Sequence, residues 1–264
     1  MTALPPRQTD ILEIARREGR VDVETLAQQF DVTPQTIRKD LNDLCDIEKL
    51  NRVHGGAVFP SNTVNMAYQA RREIAADGKA RIARAVADLI PDNSSLILNI
   101  GTTTEQVAQA LRRHQGLMVI TNNLNVAYIL AEAPGVEVVV SGGMVRKSDG
   151  GIVGAAAIDL IRQFKVDFAV IGTSAIDEEG SLLDFDYREV RVSQAILSQA
   201  RTRILAADTS KFERRAPVQI GRFEDIDIFV TDEQPPESIL NICAAAKVRL
   251  EVARPDSLAG KAAE

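Results

Sequence analysis

Amide, hydroxyl and cationic side chains recur along one short segment, residues 31–41, with the sequence Asp-Val-Thr-Pro-Gln-Thr-Ile-Arg-Lys-Asp-Leu. Thr33 is a good N-cap and the proline after it suits a first helical position, so we expect a helix to begin here. Apolar residues at positions 37, 41 and 44 form its core stripe. Gln and Arg match adenine and guanine edges, while Thr and Lys suit phosphates, so the segment predicts a DNA-recognition helix. Its expected DNA-contacting residues are Thr33, Gln35, Thr36, Arg38, Lys39 and Asn42.

A second set of polar residues follows predicted β-strands. The first strand runs into Gly101-Thr102-Thr103-Thr104 and then directly into a helix, which offers close backbone approach, hydroxyls and helix-terminal N–H groups. That combination suits an anion such as phosphate. Each loop alone is also ordinary turn chemistry, and a lone lysine or aspartate is also an ordinary surface residue. Together they predict a shared small-ligand site, whose other expected members are Thr121, Asn122, Ser141, Gly142, Gly143, Gly172, Asp184 and Lys211.

Neighbouring elements are expected to position the recognition helix in a small domain. Asp22 can cap a helix over residues 23–30, which completes a helix-turn-helix over about 22–41, and an earlier helix ends near Gly19. Residues 50–58 predict two short strands around a Gly-Gly turn, a wing that reaches the DNA. A three-helix segment with proline at a helix start also occurs in proteins that do not bind DNA. The wing residues expected at the DNA are Arg52, His54, Gly55 and Gly56.

The charge balance lacks the usual basic footprint of a DNA-binding protein. The net charge of the chain is −6, and its first ~58 residues are no more basic than acidic. Binding is therefore expected to depend on a few well-placed cations. Non-specific affinity should be weak and salt-sensitive, with specificity coming from base contacts and from pairing of subunits.

The rest of the chain predicts an α/β domain. A polar helix is expected over residues 68–90, with Arg71 and Lys79 on a solvated face. Beyond it, β-rich runs alternate with helical segments, which indicates a mainly parallel, doubly wound sheet. The expected strands are 96–100, 117–120, 136–140, 168–171, 203–206 and 226–230, with helices including 105–112, 124–133 and 193–200. The predicted layout is a winged helix-turn-helix domain at 1–58, a linker at 59–75, an α/β sensor domain at 76–253 and a flexible tail at 254–264.

Composition indicates a protein of the cytoplasm. Cys45 and Cys243 are in no metal-like or redox spacing, so we expect both to be reduced, with no metal and no cofactor. The N-terminal residues lack the apolar run of a signal peptide. No segment approaches the ~20 uninterrupted apolar residues that a membrane span requires.

The motifs together resemble the DeoR family of bacterial repressors. Arg7, the helix pair, Thr-Pro-Gln-Thr-Ile-Arg-Lys-Asp-Leu and Val-His-Gly-Gly-Ala occur in the family's order. Three later segments are similar to the branch that represses glycerol catabolism: 119–127, 147–154 and 184–191. The resemblance covers roughly residues 5 to 253.

The resemblance carries specific implications. It implies an operator-binding repressor released by a phosphorylated three-carbon effector, glycerol 3-phosphate, and a homo-oligomer, with a tetramer as the expected form. It also implies a sensor fold of the ribose-5-phosphate isomerase type, with the Gly-Thr-Thr-Thr loop and Lys211 matching effector-pocket motifs. Asn99 departs from the family, which commonly has aspartate before the Gly-Thr loop.

Two alternatives stay open beside the repressor of glycerol metabolism. One is a repressor that responds to another sugar phosphate. The other is a phosphosugar isomerase, with Asp177, Glu178, Asp184 or Glu189 as the proton-shuttling carboxylate. The Lys-Gly-Gly-Gly segment in which such isomerases resemble one another is absent from this sequence. Arg188 and Glu189 can also be explained as an exposed ion pair with no functional role. We therefore predict a DNA-binding repressor and not an enzyme.

Overall fold

The computed structural model describes residues 4–18, 20–47, 49–53, 55–58 and 68–253. Contacts divide the chain into two compact units, Met1–Val64 and Asn65–Glu264. His54 lies outside the described residues, as do 59–67 of the predicted linker and the whole predicted tail. The residue limits predicted for the domains stay predictions. Within the described ranges, each helix is too short or too polar to cross a bilayer.

The first unit contains the predicted helix-turn-helix. Its elements in chain order are α1 (Pro6–Glu18), β1 (Arg20–Asp22), α2 (Val23–Gln29), α3 (Pro34–Asp46), β2 (Asn51–Val53) and β3 (Gly56–Val58). The caps are those predicted: the Asp22 side chain accepts hydrogen bonds from the backbone N–H groups of residues 24 and 25. Thr33 accepts one from the backbone N–H of Thr36, and Pro34 occupies the first turn of α3.

The predicted stripe of α3 forms the core of this unit. Ile37, Leu41 and Leu44 are completely buried and cluster with Ile11 of α1 and Leu26 of α2. Burial of such side chains contributes about 1.5–3 kcal/mol each, so this stripe fixes which face of α3 points outward.

The wing has one strand more than predicted. β1, β3 and β2 form an antiparallel sheet in that order, with Val21 opposite Ala57 and Asp22 opposite Gly56. The expected Gly-Gly turn is wrong in detail. Gly55 lies in the turn at φ +79°, but Gly56 belongs to β3 and is not in the left-handed region. A Cβ on Gly56 would lie 2.0 Å from the carbonyl oxygen of Val21, so the constraint on Gly56 is close approach of β1.

The second unit alternates strands and helices as predicted. Its elements are α4 (Tyr68–Glu73), α5 (Ala76–Asp88), β4 (Ser95–Leu98), α6 (Thr102–Leu111), β5 (Leu117–Thr121), α7 (Leu124–Ala131), β6 (Val136–Val140), β7 (Met144–Val145), β8 (Ile152–Val153), α8 (Ala155–Ile161), β9 (Val166–Ile171), β10 (Ala175–Ile176), β11 (Ser181–Asp184), α9 (Tyr187–Gln199), β12 (Ala200–Ala206), β13 (Val218–Arg222), β14 (Ile228–Thr231), α10 (Glu237–Ala246) and β15 (Arg249–Val252). A 3-10 helix at Thr209–Glu213 follows β12.

A seven-stranded parallel sheet organises this unit. Its strand order is β15-β14-β12-β9-β4-β5-β6, and alternate residues of the central strands belong to two apolar clusters. The chain runs outward from β4 to β6, returns to β9 on the other side of β4, and continues outward to β15. The direction therefore reverses between β4 and β9, which is where such sheets bind ligands.

Several elements were not predicted. β15 was missed because its four residues, Arg-Leu-Glu-Val, are too few to establish a strand pattern, and its two charged side chains suit an exposed edge. Also missed were the β7–β8 hairpin and the antiparallel sheet β10-β11-β13, whose short strands lie outside the βα repeat.

The predicted long helix at 68–90 is two helices. Ala75 adopts φ +51°, a left-handed conformation that ends α4 and precedes α5. The predicted solvated face is also wrong at two positions. Lys79 is only 2% exposed, and the Arg71 side chain is 14% exposed. Both cations therefore belong to the interior of the second unit.

The packing at Gly56 generates a prediction. Gly56→Ala should destabilise the first unit by about 1–3 kcal/mol, because its methyl group meets backbone that cannot move without breaking the β1–β3 pairing. Urea unfolding of the full chain, with hydrogen exchange at residues 20–22, measures this effect. Gly55→Asn is the control, since asparagine tolerates positive φ. Equal protection of β1 in Gly56→Ala and wild type would contradict the packing argument.

Candidate anion site and nucleic-acid interface

The outward face of α3 presents the predicted polar side chains to solvent. Gln35, Arg38, Lys39 and Asn42 are exposed. Arg38 Nη2 lies 3.4 Å from Glu24 Oε1 of α2, and both side chains are largely solvated. Such a surface pair contributes roughly 0–1 kcal/mol, so Arg38 can exchange this partner for a base or phosphate at little cost.

Two predicted hydroxyls of α3 already have a structural role. Thr33 Oγ1 and Thr36 Oγ1 lie 2.9 Å apart, and the same Thr33 oxygen accepts the N–H of Thr36 at 3.3 Å. In the wing, Arg52 and Gly55 are exposed while Gly56 is buried. The exposed members of this unit's predicted set are therefore Thr33, Gln35, Arg38, Lys39, Asn42, Arg52 and Gly55, while Thr36 is half-buried.

An ion pair joins α1 to α3, with the Asp40 side chain buried and the Arg7 side chain 37% exposed. Arg7 Nε lies 2.6 Å from Asp40 Oδ2, and Asp40 is 6% exposed. Gln8 Nε2 also donates to Asp40 Oδ1 at 3.3 Å. The hydrogen bond to Asp40 raises the pKa of Arg7. The pair holds the recognition helix on α1, and sequence analysis did not identify this contact because it joins positions far apart in the chain.

In the second unit, the loop after β4 begins with Asn99 at the reversal point of the sheet. Asn99 Nδ2 donates to Ser193 Oγ at 2.8 Å, and its Oδ1 accepts the N–H of Ile100 at 2.7 Å. The Thr104 hydroxyl donates to the carbonyl oxygens of Asn99 and Gly101. Asn99 is 1% exposed. An aspartate could not donate to Ser193 in this way, so Asn99 is a neutral brace for the loop.

The same loop opens directly into α6. Gly101 precedes the helix at φ +148°, in the region that favours glycine. The first bond within the helix runs from the N–H of Glu105 to the Gly101 carbonyl oxygen at 3.0 Å. The N–H groups of Thr102, Thr103 and Thr104 precede that bond and point out of the helix end, as an anion requires.

Four cations lie close together beside this loop: Arg71, Lys79, Lys211 and Arg214. Burial, together with the charges of the other three cations, lowers the pKa of Lys211 to about 8. The Asp208 carboxylate opposes this effect, with its Oδ2 at 3.8 Å from Lys211 Nζ. Burial also lowers the pKa of Lys79 and of Arg214.

One donor of this cluster lacks a partner. Arg71 Nε is buried and makes no hydrogen bond in the described part of the chain. Its Nη2 pairs with Asp149 Oδ2 at 3.2 Å, while its carbonyl oxygen accepts from Lys79 Nζ and, at 3.4 Å, from Thr102 Oγ1. Buried donors are normally satisfied, so this unpartnered N–H beside the Gly101–Thr104 loop indicates a position for an acceptor.

Carboxylates line another part of the crevice, and Arg146 holds them together. Its guanidinium lies 2.6 Å from Asp149 Oδ2, 2.6 Å from Glu189 Oε2 and 3.3 Å from Asp186 Oδ2. Burial, together with the charge of Asp184, raises the pKa of Glu189 to about 8. Burial also raises the pKa of Asp184. Its oxygens accept from Ser174 Oγ and from the N–H of Phe185.

The alternative of an exposed ion pair between Arg188 and Glu189 is wrong. Arg188 Nη2 pairs with Asp186 Oδ2 at 2.9 Å, whereas Glu189 is 8% exposed and binds Arg146. The reason is the geometry of α9, since adjacent helical residues point in different directions and only Glu189 faces the crevice.

Two family models match this chain. A DeoR-like helix-turn-helix domain matches residues 7–63, and a DeoR C terminal sensor domain matches residues 74–233. The chain belongs to the DeoR family. The glycerol-3-phosphate regulon repressor of Escherichia coli is 44% identical over 93% of this chain and 98% of its own length. The repressor of the same name in Haemophilus influenzae is 43% identical over 92% of this chain and 95% of its own.

The names of these relatives agree on their activity. They are named as transcriptional repressors, and so is the Escherichia coli repressor CsqR at 39% identity over 93% of this chain and 92% of its own. The alternative of an enzyme finds no support among them. A D-ribose-5-phosphate isomerase superposes on 51% of this chain and 52% of its own at a TM-score of 0.38 and 16% identity, values too low to carry an argument.

The remaining residues predicted to bind the effector in this DeoR-family chain differ from one another in their contacts and burial. Thr121 Oγ1 donates to the Leu98 carbonyl oxygen at 2.8 Å, and Asn122 Nδ2 to that of Ile152 at 3.1 Å, so both brace loops. Gly142 and Gly143 are exposed, and a Cβ on Gly143 would lie 3.0 Å from the Val153 carbonyl oxygen of the β7–β8 hairpin. Ser141 is buried at the end of the edge strand β6, and Gly172 is half-buried directly after β9.

Sequence analysis missed four basic residues at the crevice: Arg71, Lys79, Arg146 and Arg214. One signal was available, because Lys79 falls at i, i+3 and i+7 spacing with the buried Ile82 and Val86 of α5. A lysine on an apolar stripe is expected to be buried only with partners. No comparable local pattern marks the three arginines, which are brought together by tertiary structure.

Proposed function

We propose that this protein is a DNA-binding transcriptional repressor that leaves its operator when glycerol 3-phosphate occupies the crevice beside the Gly101–Thr104 loop. The observation that carries this proposal is the group of buried cations, with the unpartnered Nε of Arg71, next to the open end of α6. A phosphate monoester carries about −1.5 to −2 charges at neutral pH and several acceptor oxygens, which matches this donor set.

The remainder of the crevice suits hydroxyl groups. Asp184 and Glu189 are buried carboxylates that can accept hydrogen bonds from a polyol, and Ser174 can donate or accept. A small phosphorylated polyol therefore matches the chemistry better than an aromatic or apolar ligand. The full-length similarity to repressors named for the glycerol-3-phosphate regulon favours glycerol 3-phosphate within that class.

The first unit supplies the DNA contacts in this proposal. Gln35 and Arg38 read base edges, while Lys39, Thr33 and Thr36 contact phosphates and Asn42 and the wing extend the footprint. A short recognition helix covers only a few base pairs, so useful selectivity requires repeated half-sites bound by two or more subunits. We propose a homo-oligomer, with a tetramer as the form that the family resemblance implies.

The division of labour on α3 can be tested with two alanine variants. Arg38→Ala should lose about 1–3 kcal/mol of operator binding and relax specificity at one base pair, because a bidentate base contact disappears. Lys39→Ala should weaken binding to all sequences alike and reduce the salt dependence by about one unit of slope. Competition binding with operator and scrambled DNA at several salt concentrations measures both. Equal loss of specificity in the two variants would reject the assignment.

Lys211 tests the effector site. Lys211→Ala should bind the operator normally but require roughly ten- to a hundredfold more glycerol 3-phosphate for release, because a charge-assisted contact is worth about 1.5–3 kcal/mol. A gel-shift titration measures release, and the exposed Lys165 gives the matched control Lys165→Ala.

Free glycerol should not release the wild type, because it lacks the phosphate. Release by glycerol, or unchanged release of Lys211→Ala, would place the effector elsewhere. Release by a different sugar phosphate at lower concentration would reassign the effector while retaining the site.

A further inference from the structure

We propose that Arg71 exchanges the Asp149 carboxylate for the effector phosphate, and that this exchange shifts helix α4 and so transmits effector binding to the DNA-binding unit. The inference rests on the proposed function and adds how the site acts on the rest of the chain. The observation behind it is that Arg71, on the first described helix after the wing, has a buried Nε–H group without an acceptor in the described part of the chain.

The described contacts of helix α4 with the strand-end rim are made by polar groups. Tyr68 Oη donates to Glu105 Oε2 of α6 at 2.7 Å and accepts from Asn125 Nδ2 of α7 at 3.2 Å. Lys79 Nζ donates to the carbonyl oxygens of Arg71 and Ile74 at the other end of α4. Ile74 is 36% exposed. Polar attachments of this kind can be rearranged without opening a hydrophobic core.

Arg71 contacts the anion loop through its backbone carbonyl oxygen and the acidic network through its side chain. Its backbone carbonyl accepts from Thr102 Oγ1 of the Gly101–Thr104 loop, and its Nη2 pairs with Asp149. The charge of the Arg71 guanidinium lowers the pKa of Lys211, Asp184 and Arg214. The guanidinium therefore lies among the cations and carboxylates of the crevice. Its buried Nε has no acceptor in the described part of the chain.

The Asp149 partner can release Arg71 without being left unpaired. Asp149 Oδ1 accepts from Arg146 Nε at 2.8 Å, its Oδ2 lies 2.6 Å from Arg146 Nη2, and the N–H of Gly151 adds a further bond at 3.3 Å. A phosphate beside Thr102 offers Arg71 several oxygens, including one for Nε. The ligand therefore has a greater affinity for the arrangement in which Arg71 has turned to it, which is the requirement for shifting an equilibrium.

The order of elements in the chain connects helix α4 to the DNA-binding unit. β3 ends at Val58 and α4 begins at Tyr68, so only residues 59–67 join the wing to the helix that carries Arg71. A displacement of α4 therefore acts directly on the segment that leads to the DNA-binding unit. By reciprocity, operator binding must oppose effector binding by the same factor.

The experiment separates binding from release in the full-length protein. Calorimetry with glycerol 3-phosphate gives affinity, and an operator gel shift at saturating glycerol 3-phosphate gives maximal release. Arg71→Gln should bind glycerol 3-phosphate about tenfold more weakly, yet remain mostly on the operator even when saturated. Arg72→Gln is the matched control, because Arg72 is exposed and lies at the same 5.9 Å from the Tyr68 ring as Arg71. It should behave as wild type in both assays.

Tyr68→Phe provides a second, milder variant. It removes the hydroxyl that attaches α4 to Glu105 and Asn125 while leaving Arg71 in place. Glycerol 3-phosphate affinity should stay within about twofold of wild type, while maximal release falls at least about twofold because α4 no longer transmits the shift.

The outcomes distinguish this inference from the proposed function. Wild type that fails to bind glycerol 3-phosphate in calorimetry contradicts the proposed function itself. Full release of saturated Arg71→Gln overturns the coupling role even if its affinity is reduced. Wild-type release in Tyr68→Phe likewise overturns transmission through α4.

Discussion

The burial of several cations at one edge of a parallel sheet is the constraint on which the sensor unit depends. A lysine or arginine removed from water is costly unless charges and hydrogen bonds compensate it. Lys79 is compensated by carbonyl oxygens of α4, and Lys211 by Asp208. Arg71 pairs with Asp149 and retains a donor without a partner. The same constraint thus keeps α4 on the rim and provides a place for an anion.

Topology explains why these groups meet. The direction of winding of the parallel sheet reverses between β4 and β9, and the loops after the two strands at such a reversal are where these sheets form a ligand crevice. The start of α6 points its N–H groups there, and the antiparallel segment after β9 brings Asp184 and the start of α9 to the same place. Apolar clusters on both faces of the sheet make these positions rigid. Rigid placement is what allows charged groups to be held near one another at neutral pH.

Sequence reasoning succeeded where the determining interactions are local. The caps at Asp22 and Thr33, the stripe of α3 and the central strands all depend on residues within a few positions of one another. It failed where the cause is tertiary. The burial of Glu189 depends on Arg146 from a distant hairpin, and the glycine at 56 is required by β1, whose three residues carry too little pattern to predict a strand.

The same distinction between local and tertiary causes applies to the candidate site. The Gly101–Thr104 loop and Lys211 could be proposed from strand ends alone, because topology predicts that such ends converge. Arg71 and Arg214 could not, since arginines in polar segments are solvated far more often than buried. Lys79 was the exception, because its spacing with Ile82 and Val86 placed it on a buried stripe.

Proton uptake on effector binding tests the central claim most directly. Burial and neighbouring cations lower the pKa of Lys211 to about 8, so near that pH about half of the molecules carry an uncharged lysine. A phosphate dianion beside Lys211 raises this pKa. Calorimetry with glycerol 3-phosphate at about pH 8, in phosphate-free buffers of different ionisation enthalpy, should show uptake of up to roughly half a proton from this group, and affinity should fall toward about pH 9. In Lys211→Arg the uptake should largely disappear, which separates Lys211 from Glu189. Binding without proton uptake, or affinity independent of pH across this interval, would contradict the account.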